Sequence, residues 1–259
     1  MPAPRPHALE VRFPGGTGAL LDGRLDLPLE DPRAWVVMAH CFTCNKHYLA
    51  LSRIAHHWVR AGLAVLRFDF TGTGESRGRF SEATFSTYVA DLQAAAEHLR
   101  RHYAPPTALF GHSLGGAAAL AAAPSIPEVG AVLTLAAPSS PAQLLDHFRH
   151  VLPRIEAEGE ARVEIGGRSW RLTRAFVDDL HRHDLRAALR KWAGALALFH
   201  GPQDRVVPVE HAERLLGWAP AARALVLLEG ADHLLTERAD AELVAAMGKG
   251  WILRYAPPA

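Results

Sequence analysis

The sequence predicts an α/β protein: a mostly parallel central sheet with helices on both faces, interrupted by one insertion. Three observations lead there. Short continuous apolar runs such as "AWVVMAH" (34–40) and "ALALFHG" (195–201) have the length of strands buried on both faces. Such runs alternate with amphipathic stretches at helical spacing, the order expected when crossover helices join parallel strands. At 259 residues and 49% hydrophobic content, the chain is long enough to bury one sizeable core.

The elements follow in order. "ALEVRFPGGTGALLDGRLDLP" (8–28) alternates apolar positions around a Gly-rich turn and reads as an initial hairpin. After the strand at 34–40, residues from about 46 to 61 place Leu49, Ile54, His57 and Trp58 at helical spacing and stop at Gly62. "LAVLRFDF" (63–70) is a strand and "FSTYVADLQAAAEHLRRHY" (85–103) a helix. "TALFGHS" (107–113), "VGAVLTLAA" (129–137), "ALALFHG" (195–201) and "ARALVLLEG" (222–230) supply further buried strands. The rhythm breaks between 139 and 192, where helix-like stretches surround "ARVEIGGRSWRL" (161–172). Its Gly166-Gly167 pair suits a tight hairpin turn. The expected organisation is a core in two parts, 1–138 and 193–259, with residues 139–192 inserted over the carboxyl edge of the sheet as a lid.

Composition narrows the function. The 28 basic and 27 acidic side chains nearly cancel, which argues against a nucleic-acid or anionic-membrane surface and suits a small neutral substrate. "MPAPRPHALE" lacks the apolar core of a signal peptide, and no run is long enough to span a bilayer, so a soluble cytoplasmic protein is expected. Two cysteines, Cys41 and Cys44, make no disulfide framework of the secreted kind. Nothing in the sequence speaks to oligomeric state.

The motif that carries chemistry is Gly111-His112-Ser113-Leu114-Gly115, a G-x-S-x-G placed between a strand and an alanine-rich helix. Glycine is costly inside regular elements, so its presence here marks a sharp bend where two backbones nearly collide. Such a bend holds Ser113 exposed above a helix N-terminus, whose free N–H groups favour developing negative charge. A serine hydroxyl is barely nucleophilic alone and needs a base and an orienting acid. His233, in "EGADHLL" after the last strand, and Asp204, in "HGPQDRVVP" after the strand before it, follow Ser113 in the order serine, acid, histidine. Rivals exist among 15 histidines, notably His200 and His211, and among the carboxylates Asp232 and Asp69. An oxyanion hole is also required. The N–H of Leu114 is one expected donor, and that of Phe42, in "HCFTCNKH" (40–47), the other. His40 is read either as a brace for that loop or as the end of its strand.

These segments, with "RFDFTGTGESRGRF" (67–80), resemble the α/β-hydrolase superfamily over nearly the whole chain. More narrowly, "HCFTC" and "RFDFTGTGES" are similar to the hydrolase half of bifunctional hydrolase–OsmC fusion proteins and to the feruloyl or cinnamoyl esterases. The resemblance implies the α/β-hydrolase fold, a serine esterase acting on small carboxylic esters, no metal or organic cofactor, and a lid with a small hairpin. Two departures stand out: Cys41 occupies a position where the esterases usually have glycine, and the sequence ends at "RYAPPA", so the OsmC half is expected to be absent.

His40, Cys41, His112, Phe148, Trp170, Leu172 and Phe176 are the expected substrate-pocket residues. "TGTGES" (71–76) does not complete a nucleotide-binding G-x-G-x-x-G and reads as a tight turn bordering the pocket. Two other classes stand as alternatives: a redox or metal protein using the C-x-x-C of Cys41 and Cys44, and a binding module without catalysis on a hydrolase scaffold.

Overall fold

The computed structural model describes residues 7–219 and 222–256. β1 (His7–Pro14) and β2 (Leu20–Leu27) form the antiparallel hairpin at one end of an eight-stranded sheet. β3 (Ala34–Ala39), β4 (Leu63–Phe68), β5 (Ala108–His112), β6 (Ala131–Leu135), β9 (Ala195–His200) and β10 (Arg223–Leu227) complete it in the order β1-β2-β4-β3-β5-β6-β9-β10, parallel from β4 onward.

The doubly buried strands divide their side chains by parity. Trp35, Val37 and Ala39 of β3 enter one core, and Ala34, Val36 and Met38 the other. The second core lies under α1 (Leu49–Arg60) and α8 (Arg238–Tyr255), which pack together. The first lies under α2 (Phe85–His102) and α3 (Leu114–Ala122), with α7 (Glu210–Trp218) on the same side through Leu215. Thr84 starts α2 with a reciprocal cap: its hydroxyl accepts from the Thr87 N–H while the Thr87 hydroxyl accepts from the Thr84 N–H.

Between β6 and β9 the chain leaves the sheet through a 3-10 segment (Pro141–Phe148), α4 (Leu152–Glu158), the antiparallel pair β7 (Glu160–Ile165) and β8 (Arg168–Thr173), α5 (Arg174–Arg182) and α6 (Leu185–Arg190). Gly166 and Gly167 turn that pair with φ of 57° and 73°, the left-handed pair that a two-residue hairpin demands. Asp179 of α5 accepts from the Ser86 N–H at 2.6 Å and the Ser86 hydroxyl at 2.8 Å, fastening this excursion to the first turn of α2.

Two expectations are corrected. β10 is a half-exposed edge strand rather than a buried one, because among the described residues it pairs with β9 alone. Helix α1 starts at Leu49, three residues later than the apolar spacing suggests, since the Lys46 backbone is committed elsewhere: its N–H donates to Asp69 at 2.6 Å and its carbonyl accepts from Arg67 at 2.8 Å.

Candidate active site

Ser113 sits between β5 and α3 with φ 54° and ψ −124°, a strained positive-φ conformation that non-glycine residues rarely hold. Its N–H is anchored on the Leu135 carbonyl at 2.8 Å. The flanking glycines are steric necessities. A Cβ on Gly111 would stand 2.4 Å from the Gly115 carbonyl oxygen, and one on Gly115 would stand 2.2 Å from the His40 carbonyl oxygen. The bend therefore also presses the start of α3 against the 40–48 loop.

Asp204 and His233 come from the loops after β9 and β10. His233 Nε2 is 3.1 Å from Ser113 Oγ, and His233 Nδ1 is 2.7 Å from Asp204 Oδ2. The second Asp204 oxygen accepts the N–H groups of Val206 at 2.8 Å and Val207 at 3.0 Å. Burial alone would raise this carboxyl, but the His233 ring and those two amides outweigh it and hold its pKa below the usual carboxylate range. With Asp204 ionised, Nδ1 carries the proton and Nε2 is left as an acceptor facing the hydroxyl.

The rival residues are engaged elsewhere. His200 Nε2 meets the Val207 carbonyl at 2.7 Å, and His211 Nδ1 accepts from the Ser139 N–H at 3.1 Å. Asp232 binds the Thr236 N–H and hydroxyl, ordering the loop that carries His233. Asp69 is consumed by Lys46 and by the Glu75 N–H.

Leu114 and Phe42 bring two N–H groups that donate to no other group among the described residues. The orientation of the Phe42 amide has a traceable cause. His40 Nδ1–H donates to the Cys41 carbonyl at 2.8 Å, and the Cys44 N–H reaches the same oxygen at 3.1 Å. Carbonyl and amide of one trans peptide point opposite ways, so holding the Cys41 oxygen directs the Phe42 N–H. His40 Nε2 in turn accepts the Phe70 N–H at 3.3 Å, and burial lowers the ring's pKa, which keeps it neutral and in this tautomer. His40 thus braces the loop. Cys41 and Cys44 are joined by a disulfide across the same turn, a pairing that the sequence reading did not foresee.

Beyond Phe42 lies an aromatic group. The Phe42 ring stacks on Phe176 at 5.5 Å and meets Phe148 at 6.3 Å and Phe80 at 5.5 Å, while Phe80 meets Trp170 at 4.5 Å. Phe148, Phe176 and Trp170 belong to the excursion between β6 and β9, so it touches the site through Phe42. Leu172 and His112 present no accessible surface and do not line an open pocket here, Leu172 because it points into the first core and His112 because it lies beneath the His233 loop.

Several contributors escaped the sequence reading. Phe80 lies four residues beyond the Gly-rich turn, and its aromatic character after "RGR" (77–79) was the available signal. Lys46 is fully buried, with Nζ 2.9 Å from both Asp22 and Asp69 and in contact with Glu75. These bonds hold its pKa above the ordinary lysine value against the opposing effect of burial. The cluster ties the 40–48 loop to the turn at 71–76. A lone lysine in a loop reads as solvated, and nothing local marks it otherwise.

Comparisons with known proteins agree on the fold. Residues 30–157 match the family model described as serine aminopeptidase, S33. The esterase domain of a Rhodothermus marinus protein superposes with a TM-score of 0.79 at 39% identity, covering 97% of this chain and 100% of that one. Est1E from Butyrivibrio proteoclasticus, solved with ferulic acid bound, superposes at 0.76 with 21% identity, covering 95% and 99%. The mouse palmitoyl-protein thioesterase ABHD10, mitochondrial, is 29% identical over 196 residues, 71% of this chain. The aligned part spans 63% of that relative's length.

Proposed function

This chain belongs to the α/β-hydrolase superfamily, and on that premise we propose that it is a serine esterase cleaving carboxylic esters through an acyl-enzyme. The observation that carries the reading is the unbroken Ser113–His233–Asp204 hydrogen-bond series, and the Phe42 and Leu114 amides, which donate to no other group among the described residues, are assigned to the oxyanion. Ser113 Oγ attacks the ester carbonyl while His233 Nε2 takes its proton. Asp204 stabilises the imidazolium that results. The carbonyl oxygen, now negative, is received by the two amides, each such donor contributing about 10²- to 10³-fold in rate. His233 returns the proton to the departing alcohol, and water repeats the sequence to free the acid.

The acyl group is assigned to the side of Phe42 on which Phe148, Phe176 and, through Phe80, Trp170 pack, with residues 139–192 acting as a lid. Aromatic walls favour a flat or extended apolar acyl chain. Two relatives lend support from opposite sides: one was solved with ferulic acid, and the other is named a thioesterase of palmitoylated proteins. Thioesters pass through the same tetrahedral intermediate, so the machinery accepts both.

A panel of p-nitrophenyl esters, hydroxycinnamoyl esters and acyl thioesters, assayed with the wild type and Ser113→Ala, tests this reading. The expected result is turnover of at least one series by the wild type and none by Ser113→Ala. Equal turnover by the two proteins refutes it.

A further inference from the structure

We propose that Tyr48 and His112 are positioning residues that hold the backbone of His233 at working distance from Ser113. The proposal rests on the serine-esterase reading and adds to it. Asp204 fixes the ring of His233, but a ring is only as well placed as the chain that carries it. That chain is a loop of ten residues, 228–237, between β10 and α8. Its own bonds, from the Thr236 N–H and hydroxyl to the Asp232 carboxylate and from the Leu235 N–H to the Asp232 carbonyl, shape it locally without tying it to the serine.

Two consecutive carbonyls provide that tie. The His233 oxygen accepts from His112 Nε2 at 2.8 Å, and the Leu234 oxygen accepts from the Tyr48 hydroxyl. The two donating rings stack on each other, 5.6 Å apart and 15° from parallel. They therefore act as one unit, rooted on one side in the residue next to Ser113 and on the other in the residue preceding α1. A shift of the His233 backbone relative to the serine must break one of these bonds or the stack.

His112 itself shows that the contact is kept at a cost. Its ring is fully enclosed, and Nδ1 has no partner among the described residues. A buried acceptor left unpaired is unfavourable, and an apolar side chain would avoid the penalty. What the histidine supplies in exchange is the Nε2–H under His233. Burial, reinforced by the neighbouring His233, presses the His112 pKa down to about 3, so this donor keeps its single proton through neutral and mildly acidic solution.

The experiment measures p-nitrophenyl acetate hydrolysis and urea unfolding for the wild type, Ser113→Ala, Tyr48→Phe, His112→Phe and His112→Gln. Because small displacements of reacting groups are costly, Tyr48→Phe and His112→Phe should each lower kcat about 10- to 100-fold. KM should stay within about threefold, as substrate binding is untouched. Glutamine, whose amide N–H reaches roughly as far as Nε2, should restore most of kcat. Wild-type kcat in both Tyr48→Phe and His112→Phe overturns the proposal. So does a loss in His112→Phe that glutamine does not rescue and that follows a fallen unfolding midpoint, since His112 would then serve packing alone. Tyr48→Phe removes one oxygen atom and keeps the test decisive if His112→Phe fails to fold. Undiminished hydrolysis by Ser113→Ala would instead bring down the esterase reading, and this role with it.

Discussion

His233 Nε2 lies 3.1 Å from Ser113 Oγ although 120 residues separate the two in sequence. That distance lets a proton pass without rearrangement, provided Nδ1 carries the other proton. Asp204 enforces this by accepting from Nδ1 at 2.7 Å. Replacing Asp204 with asparagine keeps the shape but permits the wrong tautomer. We expect kcat to fall about 10³- to 10⁴-fold, read in a steady-state ester assay. A loss below tenfold would show that the tautomer is set by something else.

The pH dependence of stability follows from His112 and Asp204. The folded His112 has its pKa pressed down to about 3, against an ordinary value of 6.5. Between these values the unfolded chain binds a proton that the native one refuses, so stability falls as the solution is acidified through that window. Asp204, held below its ordinary value, acts in the same direction at lower pH. Urea unfolding should show a loss of about 1 kcal/mol per pH unit from His112 alone as pH drops from 6.5 toward 4.5. His112→Gln, which cannot titrate, should flatten the slope. An identical slope in wild type and variant contradicts the assignment.

Lys46 Nζ, itself fully buried, is the cation for Asp69 and shares Asp22 with Arg12. Lys46→Met leaves the Asp69 carboxylate buried without its cation, while Asp22 keeps Arg12. The expected destabilisation is about 3 to 5 kcal/mol by urea unfolding. A change under about 1 kcal/mol, the size typical of an exposed pair, would mean that the cluster is solvated.

Much of this was legible in the sequence, for identifiable reasons. Buried parallel strands announce themselves as continuous apolar runs, and only one residue type fits at Gly111 and Gly115 once the bend is recognised. Asp204 and His233, which the structure brings to hydrogen-bond distance in series with Ser113, could be singled out because chain order and strand ends constrain where an acid and a base can sit. What stayed hidden depends on contacts between distant segments. The Tyr48 bond to Leu234 spans 186 residues and the Lys46 bond to Asp69 spans 23, and neither leaves a local pattern. Edge exposure of β10 was missed for the same reason: "ALVLL" reads as buried until its pairing is known.

Cys41 and Cys44 permit a direct contrast between chemistries. The turn they bridge is also closed by the Cys44 N–H on the Cys41 carbonyl and braced by His40. A Cys41→Ser/Cys44→Ser protein should therefore keep ester hydrolysis within about tenfold of wild type, because both of those restraints on the turn survive the change. Loss of all turnover on this change, with the fold intact, would move the chemistry from the serine to the thiols.

The most direct measurement is covalent labelling by a fluorophosphonate probe, followed by mass mapping of the modified peptide. A single adduct on Ser113, abolished by Ser113→Ala and slowed by His233→Ala, is the predicted result. A folded wild-type protein that takes no label, or takes it on another residue, contradicts the account.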